Sequence, residues 1–208
     1  MTAKNNERVT TIEALEDLYG AVARPSIVKE VDCIHPVYRP FIELASFVVL
    51  ATVGPDGLDA SPRGDKAGFV HIEDRHTLLL PDRRGNNRID SLRNIVNDPR
   101  VALFFLMPGV GETLRVNGTA EILIQPDLLS RFAVQNRVPK SILRITVNAV
   151  YFQCSRAVIR AGLWDTAHYI DRRALPTPGQ ILKELSRSEI DGDAYDKALP
   201  ARLADTLY

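Results

Sequence analysis

The chain has 208 residues, 45% of them apolar and 25% charged, which is ordinary globular usage and enough length to bury a core. Lys and Arg together number 26 and Asp and Glu 26, so no overall field draws the chain toward nucleic acid or a membrane surface. An anion site, if there is one, has to be a local cluster of basic residues.

Cys33 and Cys154 have no neighbouring Cys to form a metal knuckle or a disulfide framework, and they read as two thiols in a reducing compartment. The first thirty residues lack a signal pattern, and no apolar run approaches the roughly 18 residues of a membrane helix. A cytoplasmic location is expected.

Residues 1–9 are polar and expected to fray. Thr10-Thr11-Ile12-Glu13 reads as a capping box, Thr10 bonding forward and Glu13 back, ahead of a helix that Gly20 stops. A second short helix is expected over about His35–Ala45, with Pro40 limiting its regularity. From Phe47 the pattern becomes β. Phe47–Val53 is a nearly continuous apolar run, as in a strand covered on both faces. Gly54-Pro55-Asp56-Gly57 turns it into a second strand, about Leu58–Arg63. Phe69–Ile72 and Thr77–Leu80 form a second hairpin around Glu73-Asp74-Arg75-His76.

A polar loop, Pro81 to Arg88, then runs into a helix whose stripe is Ile89, Leu92, Ile95 and Val96, ended by Asn97-Asp98-Pro99. Val101–Met107 is again a fully apolar strand. Glu112–Ile124 alternates, with Leu114, Val116, Ala120, Ile122 and Ile124 on one face. Gln125-Pro126-Asp127 starts a helix of about ten residues. Leu143–Cys154 is the last strand, Leu143, Ile145, Val147 and Ala149 alternating against Arg144, Thr146 and Asn148. Helices at about 177–188 and 193–207 decorate the core. Six or seven strands joined mostly by tight turns predict a mainly β (α+β) chain built on a small antiparallel barrel. One domain is expected over 1–208, with an N-terminal helical extension (about 10–45) and C-terminal helices (about 177–207).

Three segments could carry chemistry. Asp82–Arg88 places Arg83, Arg84 and Arg88 with Asn86 and Asn87 around Gly85, where a strand hands over to a helix. A helix N-terminus has unpaired N–H groups, and Arg forks match phosphate oxygens, so the segment suits an anion. A solvated loop whose Asn caps the helix is the plainer alternative. Ser61-Pro62-Arg63-Gly64-Asp65-Lys66 is a second basic element, with Gly64 allowing close backbone approach to a bound group; an ordinary hairpin exit with a surface ion pair would look the same. The polar face of Thr113, Arg115 and Asn117 could hydrogen-bond a heteroaromatic ring or simply meet solvent. The dinucleotide fingerprint, the phosphate-cradling loop, the serine elbow and metal-ligand spacing among His35, His71, His76 and His168 are all absent.

In order, the Gly-Pro-Asp-Gly turn, Ser-Pro-Arg-Gly-Asp, Leu-Pro-Asp-Arg-Arg-Gly-Asn-Asn-Arg and Glu-Thr-Leu-Arg-Val-Asn-Gly resemble the pyridoxamine 5′-phosphate oxidase superfamily. The similarity covers about residues 40–165 and is most specific over 61–118. It implies an FMN-binding split barrel that pairs as a homodimer with the cofactor at the subunit interface. By position, Arg63, Gly64 and Asp65 match the strand lining the flavin, and Pro81 and Asp82 the backbone edge beside its ring. Asn87 and Arg88 fall at the family's Arg-Lys pair on the phosphate, and Arg84 is placed to compensate for Asn87. Thr113 falls at the ring-side glutamine, and Trp164 resembles the late tryptophan supplied by the partner subunit. Residues beyond about 165 depart from the signature that grips pyridoxamine phosphate, so vitamin B6 oxidation is not the expected reaction. The implied function is an FMN-dependent oxidoreductase acting on a small molecule, with no catalytic acid or base singled out. A non-catalytic flavin- or haem-binding module and a deazaflavin (F420)-dependent reductase are the competing readings.

Overall fold

The computed structural model describes residues 8–208; of the fraying expected for 1–9, residues 1–7 lie outside the described residues. The strands are β1 (Phe47–Gly54), β2 (Gly57–Gly64), β3 (His71–Ile72), β4 (Thr77–Pro81), β5 (Arg100–Leu106), β6 (Thr113–Leu123) and β7 (Ile142–Gln153). They form one antiparallel sheet in the order β2-β1-β5-β6-β7-β4-β3. Strand β2 does not pair with β4, so the curled sheet stays open along one seam. The fold is mainly β, a split barrel with peripheral helices.

Each long strand turns alternate residues inward, which is why the core is read along the sheet at every second position. Val48, Leu50, Leu103, Phe105, Leu114, Val116, Leu143 and Ile145 are all buried in one cluster, capped by Ile34, Tyr38 and Ile42. The helices are α1 (Ile12–Tyr19), α2 (Arg24–Val28), α3 (Arg39–Glu43), α4 (Asp90–Asn97), α5 (Pro126–Ser130), α6 (Arg156–Ala161), α7 (Pro178–Leu185) and α8 (Gly192–Thr206). None of the described residues forms a helix long and apolar enough to cross a membrane.

Several expectations are corrected. Thr11, not Thr10, caps α1, its hydroxyl accepting from the Ala14 N–H at 3.2 Å. The helix expected over 35–45 shrinks to α3, because Pro40 can sit only in a first turn; α2 and α6 were not foreseen. The ten-residue helix after Gln125 is the five-residue α5. Strands β1 and β5 are covered on one face only: Val49, Val53, Phe104 and Leu106 stay half exposed on the other, beside Leu58, which is 89% exposed. The alternation of β7 also changes phase. Asn117 lies opposite Ala149 and Gly118 opposite Val147, so Asn148 is an extra residue. Beyond this bulge Val150 is buried and Ala149 only half buried, whereas unbroken alternation puts Ala149 inside.

Candidate functional site: a basic cavity at the open seam

Topology brings distant basic residues together at the seam. Arg63 is near the end of β2, Asp82 directly follows β4, and residues 137–141 lead into β7, the neighbour of β4. Together with Arg84 and Lys140 they line a cavity of about 480 Å³. That volume is within the range of roughly 300–1,000 Å³ typical of small-molecule sites. Ile89 and Leu92 supply an apolar side.

The seam is tied by an ion pair. Asp65, just past β2, accepts from Arg83 Nε at 2.6 Å, and Arg83 also donates to the Phe132 carbonyl at 2.6 Å. The Asp65 side chain is 4% exposed and takes further hydrogen bonds from the Lys66 N–H and the Tyr208 hydroxyl. Burial works to raise its pKa, but those three donors and the Arg83 charge outweigh burial and hold it below the ordinary value. A depressed carboxylate contributes stability above the unfolded-state pKa and loses it as pH falls through the folded one. Asp65→Asn is therefore expected to cost about 2–3 kcal/mol at pH 7, the worth of charged hydrogen bonds. Urea melts across pH should show the gap to wild type closing below the ordinary aspartate value of 3.8.

Other basic residues are not spent in this way. Among the described residues neither Arg63 nor Arg84 enters an ion pair; Arg63 donates only to the Pro62 carbonyl, at 3.2 Å. Lys140 Nζ donates to Asn87 Oδ1 at 3.2 Å. Ser141, also lining the cavity, has a buried hydroxyl oxygen with no partner. Unpaired guanidinium groups beside an unsatisfied hydroxyl suit a phosphate, which accepts several charge-assisted hydrogen bonds at once. Asp82 is the acid in the lining; burial raises its pKa, against the pull of Arg63 and Lys140.

The structure sorts the residues expected at the site. Arg63, Asp82, Arg84 and Asn87 line the cavity. Pro81 does not; its backbone is in the ladder opposite Ile142, and the Asp82 N–H is engaged by the Ser141 carbonyl at 2.9 Å. Asp65 holds the seam from behind rather than lining the cavity. At Gly64 a Cβ would meet Ser46 O at 3.4 Å and the Phe47 ring at 3.8 Å, ordinary contacts, so this chain's own packing does not require a glycine there.

Arg88 lies apart from the cavity. Asn87 and Ile89 both have left-handed backbone (φ 59° and 53°), and between them the Arg88 side chain turns away from the cavity that its neighbours line. The Arg88 side chain is 78% exposed, pairs with Asp90, and lies over a separate depression with Asp59. The alternative in which an Asn caps the helix also fails: α4 has no side-chain cap, and Asn86 Oδ1 accepts locally from the Arg88 N–H. Thr113 is buried at the start of β6, 3.4 Å from Gln153 Oε1. Trp164 donates its indole N–H to the Val110 carbonyl at 2.7 Å. Neither reaches the cavity of this chain.

Sequence reasoning missed Arg137, Lys140, Ser141 and Tyr208. The basic pair around Val138-Pro139 was visible, but only the β4–β7 pairing places it across from Arg84.

A mainly β split barrel with a cavity lined by Arg63, Arg84 and Lys140 at its open seam defines the class of fold. The pyridoxamine 5′-phosphate oxidase family model matches residues 34–154, and the chain belongs to that family. No curated protein matches the sequence. Among solved structures, the chain is similar to HupZ from Group A Streptococcus, with 19% identity over 59% of this chain and 95% of that one and a TM-score of 0.48. A Clostridium acetobutylicum protein related to general stress protein 26, of the pyridoxinephosphate oxidase family, matches at 15% identity over 55% of this chain and 83% of that one, TM-score 0.44. An F420 reductase matches at 23% identity over 54% and 93%, TM-score 0.39.

Proposed function

We propose that this protein is a cytoplasmic, FMN-dependent oxidoreductase that anchors the FMN phosphate in the basic cavity and acts on a small molecule as a homodimer. The observation that carries this reading is the cavity itself: Arg63 and Arg84, without ion-pair partners among the described residues, line the same space as Lys140 and Ser141. Family membership adds the expectation of a flavin. Bound there, FMN would supply electron-transfer chemistry that no side chain of the protein offers.

The chain's own part is to bind and to orient. Arg63 and Arg84 hold the phosphate oxygens. The Asp65–Arg83 pair fixes the two strand ends that carry the cavity, so the donors are pre-positioned rather than gathered at binding. The half-exposed apolar face of β2, β1 and β5, with Leu58, Val49, Phe104 and Leu106, supports the homodimer, since a second copy would cover it. Thr113, Gly64 and Trp164, which do not line the cavity of one chain, are assigned to the side of the cofactor that a partner completes.

The test is the absorption spectrum of the purified protein, followed by mass spectrometry of the small molecule released on denaturation. Yellow protein releasing FMN, or colourless protein that takes up FMN on titration, is expected. Protein that cannot be reconstituted, or one that releases a deazaflavin or haem, overturns the assignment. Light scattering at micromolar concentration should return twice the chain mass of 23.1 kDa; a monomer would remove the homodimer.

A further inference from the structure

The cavity has a wall that the family-matched region does not supply. Helix α8 ends at Thr206, and the two residues after it cross to the seam, where Tyr208 lines the cavity beside Arg63 and Arg84. Its hydroxyl donates to Asp65 Oδ1 at 2.9 Å, and its ring centroid lies 5.9 Å from the Arg83 guanidinium carbon. Arg137 holds the same segment by its backbone, donating to the Asp205 carbonyl at 3.0 Å and to the Tyr208 carbonyl. Positions 65 and 83 thus meet the Tyr208 side chain, while Arg137 holds the backbone that carries it.

We propose that Tyr208 is a specificity-determining residue whose ring sets how large a phosphate ligand the cavity admits. It favours a monophosphate of mononucleotide size over ligands that continue past the phosphate. This rests on the cavity being the phosphate site proposed above. A wall made by a side chain on a short strap differs from one made by a strand. The sheet walls are fixed by ladder hydrogen bonds, whereas this one depends on Tyr208, Asp65 and Arg137. Removing the ring opens the cavity on that side without touching Arg63 or Arg84.

Tyr208→Ala and Tyr208→Phe are compared with wild type by titration with FMN and with FAD, whose phosphate continues into an adenylate. Tyr208→Ala is expected to raise FAD affinity relative to FMN by about tenfold or more, within the range that one pocket contact commands. Tyr208→Phe keeps the ring and should leave that ratio within about twofold. An unchanged ratio in Tyr208→Ala, or an equal shift in both variants, overturns the role of the ring. Calorimetry with inorganic phosphate and tripolyphosphate repeats the comparison without a flavin. If these anions bind and FMN does not, the FMN assignment fails while the tripolyphosphate-to-phosphate ratio still tests Tyr208. If FMN binds and neither ratio moves, the Tyr208 proposal fails alone. Absence of binding by all four probes overturns both.

Discussion

Replacing Arg63 and Arg84 together with alanine is expected to lower FMN affinity by about 1,000-fold. A hydrogen bond to a charged group contributes about 1.5–3 kcal/mol, and each 1.4 kcal/mol is a factor of ten. Neither side chain enters an ion pair among the described residues, so a bound phosphate has only the Asp82 charge in the lining to compete with. Two comparisons make the experiment specific, both read by quenching of flavin fluorescence. Riboflavin, which lacks the phosphate, should bind the double variant within about threefold of wild type. Arg88→Ala should also stay within about threefold for FMN, because Arg88 points to Asp90 and away from the cavity. Loss of riboflavin binding in the double variant would mean that the two arginines support the fold rather than the phosphate. A large loss in Arg88→Ala would return Arg88 to the site.

The largest effect on stability is expected from Gly118→Ala. A Cβ built at Gly118 lies 2.1 Å from the Thr146 carbonyl oxygen and 3.3 Å from Ile145 Cγ2. The obstacle is backbone of the adjoining strand β7, so no side-chain rotation relieves it. Gly118 is buried and sits where the register of β6 and β7 shifts. Separating the two strands to admit a methyl group would break the ladder joining the two longest strands. A cost of about 4 kcal/mol or more is expected, at the upper end for single substitutions, and at this chain length it lowers Tm by roughly 8–16 °C. Gly85→Ala is the control, since a Cβ there meets nothing within 4 Å. Thermal melts showing Gly118→Ala within about 2 °C of wild type would mean that the strands separate easily at the bulge.

What was legible in the sequence follows from range. Strands announce themselves by local alternation and turn residues, so six lie within a residue of their expected ends, while the one expected over Phe69–Ile72 is only His71–Ile72. Arg63 and Arg84, singled out by local chemistry, line the same cavity. The failures are tertiary. Arg88 reads as a phosphate ligand by its place beside Asn87, but two left-handed residues redirect it, and Ile89 gives no sequence cue for such a backbone. Asp65 reads as a cavity residue by its place after Arg63, yet its carboxylate is spent on Arg83, 18 positions away, and on Tyr208, 143 away. Arg137, Lys140 and Tyr208 enter the site only through strand order and the path of the chain after α8, neither of which is encoded in a local pattern. The apolar run of β1 reads as a strand covered on both faces, and within one chain only one face is covered.

The strand order also bears on how copies of this protein can meet. A sheet that ends in an unpaired strand invites another chain to add to it, main chain to main chain. Here the outer strand at one end, β3, is only two residues long. The outer strand at the other end, β2, contains Pro62, which lies opposite Val49 and, in a paired strand, must turn its donorless nitrogen outward. A newcomer would find too short a template on one side and a missing N–H on the other. Both ends of the sheet thus work against strand addition, and the proposed homodimer would instead meet through side chains on the flat of the sheet.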